Sequence, residues 1–97
     1  MPAIPFQVEF VAAERGYLIA RQLAPRPFRL VEGSQLDGCP LEPRHLEVPR
    51  ASNPDGTPRT DLFAFLLRRR EQAARFKPGD RVELTGWREQ GAPPGAG

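Results

Sequence analysis

The sequence predicts an all-β domain. Short segments alternate polar and apolar residues with the two-residue period of half-buried strands. Turn signals that contain glycine or proline separate these segments at short intervals, and 12 prolines are spread along the 97 residues. Hydrophobic residues make up 39% and charged residues 27%, which is a globular and not a disordered composition. Together these observations favour a small globular fold built from strands and turns.

The length suits a single domain, which we expect to cover residues 1–88. Residues 89–97 are mostly glycine, alanine and proline, which predicts a flexible tail because little in it can pack. The longest apolar run, 62–67, is far too short to cross a bilayer. Residues 1–10 lack the basic stretch and long apolar core of a secretory signal. We therefore expect a cytoplasmic protein without a membrane partner.

The first two strands are predicted to form a hairpin. The first segment places Phe6, Val8 and Phe10 on one face, until Val11 interrupts the alternation. A turn with a glycine, which accepts positive φ at no steric cost, leads into a second alternating segment, 17–23. The short connection favours antiparallel pairing of the two segments.

The middle of the chain is dominated by turns and extended backbone. Residues 28–31 predict a third short strand, and Asp37-Gly38 is a turn signal. Three prolines within 39–49 exclude a regular helix, and residues 45–48 could add a short strand. The strongest turn signal covers 53–58, where we expect an exposed loop.

Residues 60–76 admit two interpretations. Apolar residues recur at helical spacing, no glycine, proline or β-branched residue interrupts 61–76, and Thr60 could cap a helix. The alternative is a buried strand over 62–67 followed by a helical turn over 70–75, with Phe65 in the core. Periodicity does not separate a helix from a strand in so short an apolar run.

The last predicted strand follows a tight turn. Pro78 and Gly79 stand in the order that a type II turn prefers. In residues 81–85, Val82 and Leu84 then alternate with charged residues, which is typical of a strand with one buried face.

Two stretches read together resemble a known family. They are residues 15–21, Arg-Gly-Tyr-Leu-Ile-Ala-Arg, and residues 65–68 and 76–84, Phe-Leu-Leu-Arg and Phe-Lys-Pro-Gly-Asp-Arg-Val-Glu-Leu. Their order is similar to that of the second, β-barrel domain of translational GTPases of the elongation factor Tu type. The resemblance covers most of residues 6–86. It implies a six-stranded, closed or nearly closed β-barrel of the translation-protein type, present here as a stand-alone domain, and an RNA or protein partner. An α+β domain with a helix at 60–76 is the alternative.

The chain also departs from that family. The segment 33–58, with its Asp37-Gly38 turn and proline-rich loop, has no counterpart in the family pattern. No G-x-x-x-x-G-K frame occurs, and the only lysine, Lys77, precedes proline and not serine or threonine. The chain therefore carries no phosphate-binding loop of a GTPase, and no binding residue is carried over from the resemblance.

No combination of residues predicts catalysis, a metal or a cofactor. The single cysteine, Cys39, excludes an internal disulfide and is expected to be a small, partly buried side chain. The single histidine, His45, lies six positions away across two prolines, which does not support a thiol–imidazole pair. Neither residue has the companions that a metal site needs. We expect no catalytic residue, no metal ligand and no cofactor, and hence a protein that is not an enzyme.

One basic cluster is a candidate for nucleic-acid binding. Basic residues number 14 and 13 of them are arginine, yet the formal net charge is only +2. Arginine offers a planar fork that suits phosphate. The densest cluster interleaves with Glu71, Asp80 and Glu83, and a solvated charged face is its alternative explanation. The candidate residues are Arg68, Arg69, Arg70, Arg75, Lys77 and Arg81.

Two functions remain open from the sequence. The first is a non-enzymatic module that binds structured RNA or a ribosome-associated protein, with Tyr17, Phe28 and Trp87 as aromatic side chains that could stack on bases. The second is a protein-interaction or homo-oligomerising module that uses a sheet edge or an exposed apolar strand.

Overall fold

The computed structural model of the chain describes residues 2–49 and 52–89. Its strands are β1 (Ile4–Ala12), β2 (Tyr17–Gln22), β3 (Phe28–Arg29), β4 (Gln35–Leu36), β5 (Cys39–Pro40), β6 (Leu62–Leu66), β7 (Arg81–Thr85) and β8 (Arg88–Glu89). A 3₁₀ helix, Arg70–Arg75, lies between β6 and β7.

Six strands form one antiparallel sheet in the order β5-β4-β7-β1-β2-β6, and this sheet curls into a half-barrel. One isolated bridge, between Leu41 and Leu67, joins its two edges. There the backbone N–H of Glu42 donates to the carbonyl of Leu66 at 2.8 Å, and that of Arg68 donates to Pro40 at 3.0 Å. Strands β3 and β8 form a separate two-stranded sheet. The all-β prediction is confirmed.

The helix predicted as an alternative for residues 60–76 is wrong. The segment is β6 followed by the six-residue 3₁₀ helix, which is the longest helical element among the described residues. Strand β6 pairs along its whole length with β2, from Arg21 opposite Leu62 to Tyr17 opposite Leu66. This pairing buries Phe65 fully and provides hydrogen-bond partners for the backbone groups on that edge of β2. Tertiary contacts therefore override the local helix propensity.

A β-bulge explains why alternation fails in β1. The pairing with β2 shifts between Val8 and Phe10, so that Glu9 is the extra residue. Phe6 and Val8 lie in the core, whereas Phe10 is 48% exposed. The expectation that all three share the buried face is therefore wrong for Phe10, because the bulge turns the side chains beyond it to the opposite face.

The predicted turns take the expected backbone conformations. Asp37 and Gly38 have φ of 53° and 83° and join β4 to β5 as a two-residue hairpin turn. Gly79 has φ of 96°, and the Asp80 N–H donates to the carbonyl of Lys77 at 3.0 Å, in keeping with a type II turn. Loop residues 53–58 are exposed, as predicted.

Some segments differ from their predicted extents, and of residues 28–31 only Phe28–Arg29 forms a strand. Residues 45–48 form no strand, and Glu47 alone makes a bridge, to Ala64 of β6. The three surrounding prolines limit ladder hydrogen bonding there. Of the predicted tail, 89–97, only Glu89 lies within the described residues, where it pairs with Phe28.

The core is an aromatic cluster inside the curled sheet. The rings of Phe6 and Phe65 meet edge to face with centroids 5.1 Å apart, and Phe28 packs against both. Trp87 is also buried, and its indole Nε1 donates to the carbonyl of Pro2 at 2.9 Å. The core thus ties the described N-terminal residues to the last strands.

Candidate nucleic-acid interface

The basic residues singled out from the sequence lie on one continuous stretch, residues 68–81, which we call the basic segment. It leaves β6, forms the 3₁₀ helix and the tight turn, and enters β7. Ala73 and Phe76 are buried and anchor the segment to the core. Because these two apolar residues face inward, the charged residues between and around them face solvent.

Arg68 differs from the other basic residues of the segment. Its guanidinium pairs with the carboxylate of Glu32, and its Nε lies 3.8 Å from Oε2 of Glu42. Neither acidic residue is near it in sequence, and the bridge between Leu41 and Leu67 places Glu42 beside Arg68. Arg68 is therefore largely neutralised by carboxylates and is the weakest phosphate ligand of the predicted set.

The remaining five predicted cations have no such partners. Within residues 2–49 and 52–89, no carboxylate oxygen lies within 4.0 Å of their charged nitrogens. All five are exposed. Elsewhere the chain does pair its arginines: Arg21 and Arg59 both form ion pairs with Glu9 on the sheet surface. The five are Arg69, Arg70, Arg75, Lys77 and Arg81.

Arg75 and Arg81 line the same cleft, which has a volume of about 260 Å³. Sequence reasoning selected both arginines but did not place them together. The fold does so because the tight turn brings the 3₁₀ helix beside the start of β7. Asp80 also lines the cleft, and its carboxylate accepts the backbone N–H of Lys77 at 2.9 Å, which holds the turn. Asp37 reaches the cleft from the β4–β5 turn, and no signal in the sequence marked it as a site residue.

Cys39 forms part of the cleft lining and is fully buried, more so than the sequence suggested. Nη1 of Arg75 donates to its Sγ at 3.5 Å, which positions the guanidinium over β5. His45 lies on a different surface of the molecule, where it lines a depression together with Tyr17 and Leu66. In the described part of the chain, no three histidine, cysteine, aspartate or glutamate side chains gather as a metal site would require.

Among the aromatic candidates for base stacking, Phe28 and Trp87 are buried and unavailable. Tyr17 is half-buried on the outer face of β2, and its ring lies 6.2 Å from that of Phe10. The exposure of Phe10 was not predicted from the sequence, although the interrupted alternation at Val11 was a sign of the bulge. The hairpin turn beside this pair touches the basic segment, since a Cβ on Gly16 would lie 2.8 Å from Cγ of Arg70.

Among the described residues, the side chains whose pKa is shifted lie outside the cleft. Hydrogen bonds from the guanidinium of Arg59 lower the pKa of Asp61 below its ordinary value of 3.8. The same contacts, together with Glu9, raise the pKa of Arg59. In the exposed loop, the hydroxyl and backbone N–H of Thr57 lower the pKa of Asp55. These groups stabilise local structure and supply no acid or base at the cleft.

Among the described residues, no helix has both the length and the apolar character to cross a membrane. No protein-family model, curated protein or solved structure matches the chain.

Proposed function

We propose that the chain is a non-enzymatic module that binds RNA through the basic segment. The observation that carries the proposal is the set of five exposed cations without a carboxylate partner in the described structure, two of which share one cleft. The curled six-stranded sheet is compatible with a β-barrel domain. For the fold family, we propose a relationship to the second domain of translational GTPases, and for the role, a place close to the ribosome.

The chemistry of the segment suits phosphate. A guanidinium offers parallel N–H donors to two phosphate oxygens, and a lysine adds a point charge. Arginines already paired with carboxylates would lose those pairs on binding, whereas Arg69, Arg70 and Arg75 have none to lose among the described residues. The net charge of +2 gives little long-range attraction, so we expect binding to depend on this local cluster.

The proposal is tested by the salt dependence of RNA binding. Fluorescence anisotropy with a labelled single-stranded RNA of mixed sequence is measured from low to moderate salt. Each phosphate contact contributes a log–log slope of about −0.7 for single strands, because counterions are released. Changing Arg69, Arg70 and Arg75 to Gln is expected to weaken binding at least tenfold at low salt and to flatten the slope by about two.

A control variant removes the same charge elsewhere. Arg29, Arg44 and Arg88 are exposed and lie outside the basic segment. Changing these three to Gln is expected to alter the RNA affinity by less than about threefold, since only the general field of the protein changes. Equal losses in the two triple variants, or no RNA binding by the wild type at low salt, would contradict the proposal.

A protein-interaction or homo-oligomerising module is the second candidate function. Its support is the presence of exposed apolar side chains: Phe10, at the end of β1, is 48% exposed, and Val48, in the segment beside β6, is 56% exposed. Near them, Tyr17, Ile19 and Leu66 line a depression of about 270 Å³. Association through this surface would depend weakly on salt and would be lost in Phe10→Glu, as light scattering after gel filtration can measure.

A further inference from the structure

The cleft between the 3₁₀ helix and β7 contains charges of both signs that do not pair with each other. Asp37 lines it together with Arg75 and Arg81, yet no oxygen of Asp37 lies within 4.0 Å of a guanidinium nitrogen in the described structure. Asp80, the other carboxylate there, accepts the backbone N–H of Lys77 with one of its oxygens, Oδ2, and adds a second negative charge to the cleft. Asp37 therefore presents an acceptor, and the two arginines present donors, toward one space.

The position of Asp37 is fixed by the backbone. Its φ of 53° and the φ of 83° at Gly38 define the tight β4–β5 turn. The N–H of Asp37 donates to the carbonyl of Glu83 in β7 at 2.8 Å, so the turn is tied to the strand that carries Arg81. The carboxylate and the Arg81 guanidinium thus extend from two adjacent, hydrogen-bonded elements.

A ligand that complements this cleft has an anionic group beside a hydroxyl donor. A purely anionic ligand meets repulsion from Asp37 and Asp80, and a purely cationic one meets repulsion from Arg75 and Arg81. The sugar–phosphate unit of RNA has both features, because its 2′-hydroxyl donates a hydrogen bond next to the phosphate. The volume of about 260 Å³ lies just below the usual range of ligand sites, about 300–1,000 Å³, and suits one such unit.

We infer that the cleft binds one ribonucleotide unit, with Arg75 and Arg81 on the phosphate and Asp37 accepting the 2′-hydroxyl, and that Asp37 thereby selects RNA over DNA. The inference rests on the proposed RNA-binding function and names the group that discriminates the sugar. Deoxyribose leaves the carboxylate of Asp37 beside a phosphate with no hydroxyl to donate to it.

The test compares RNA, DNA and 2′-O-methyl RNA of one sequence by competition in the anisotropy assay. A hydrogen bond to a charged acceptor predicts that the wild type binds RNA about tenfold more tightly than DNA. The 2′-O-methyl RNA is expected to behave like DNA, because methylation removes the donor. In Asp37→Gly, which tolerates the positive φ, the preference is expected to fall below about twofold while the affinity for DNA is unchanged or higher.

Glu71→Gln is the matched control. Glu71 is an exposed carboxylate of the basic segment that does not line the cleft, and its loss changes the net charge by the same amount. Its removal is expected to strengthen the binding of RNA and DNA alike. If Asp37→Gly does not fold, as judged by circular dichroism, Asp37→Asn replaces it, since asparagine also tolerates positive φ and lacks the charge. For that variant we expect at least a threefold fall in preference.

The outcomes distinguish a failure of the proposed RNA binding from a failure of the proposed role of Asp37. No binding of any nucleic acid at low salt defeats the proposed function. Equal binding of RNA and DNA by the wild type overturns the inference about Asp37 and leaves nucleic-acid binding by the basic segment standing. A wild-type preference that persists in the folded Asp37 variants also overturns it, because sugar discrimination then lies outside the cleft.

Discussion

Truncation of Phe65 to alanine is expected to remove much of the stability of the domain. Phe65 is fully buried, and its ring contacts those of Phe6, Phe28 and Phe63 at centroid distances of 5.1, 6.4 and 6.4 Å. Such a truncation costs roughly 3–5 kcal/mol, and the edge-to-face contact with Phe6 favours the upper part of that range. A domain of this length has a free energy of unfolding of about 5–15 kcal/mol. We therefore expect the melting temperature to fall by about 15 °C or more.

Urea denaturation followed by tryptophan fluorescence measures the effect. The chain has one tryptophan, Trp87, and its burial makes it a reporter of the core. Phe10→Ala is the matched control, because Phe10 lies in the same sheet but is half exposed, and its truncation is expected to cost about 1 kcal/mol or less. If Phe65→Ala does not fold, Phe65→Leu should still lose about 1–1.5 kcal/mol. Equal costs for Phe65→Ala and Phe10→Ala would refute the placement of Phe65.

Two further predictions concern local structure. In thermal melts, Gly16→Ala is expected to destabilise the domain by at least about 1 kcal/mol more than Gly56→Ala. Both positions have positive φ and share that strain, but only at Gly16 would a Cβ lie within 3 Å of Cα and Cγ of Arg70. Similar losses of stability in the two variants would show that the Arg70 side chain moves aside at little cost. Asp61→Asn is expected to make the free energy of unfolding fall less steeply as the pH is lowered. Because Arg59 lowers the folded-state pKa of Asp61, the carboxylate stabilises the fold above pH 3.8, and this contribution is lost as the pH falls through the lowered pKa. Unchanged acid unfolding in the variant would contradict this.

Local patterns predicted most of the strands and turns. The alternation in 17–23 and 81–85 gives β2 and β7 because a strand with one buried face needs that period whatever surrounds it. The Asp37-Gly38 and Pro78-Gly79 turns follow from the φ angles that glycine and proline permit. The six predicted basic residues lie on one segment because they are near neighbours in the chain.

The remaining features depend on contacts between distant residues. The bulge at Glu9, which turns Phe10 outward, is decided by the register with β2. The neutralisation of Arg68 depends on Glu32, which is 36 positions away. Asp37 joins Arg75 and Arg81 only because β4 pairs with β7.

Periodicity, turn chemistry and charge spacing are local properties, and they predicted a mostly β fold, with α+β as the alternative, and a basic segment at 68–81. The tertiary structure alone decided that residues 62–66 form a strand and not a helix, because pairing with β2 and burial of Phe65 outweigh local propensity. It alone also decided which charges are free and which share a cleft, since ion pairs form between side chains that the curled sheet brings together from distant parts of the chain.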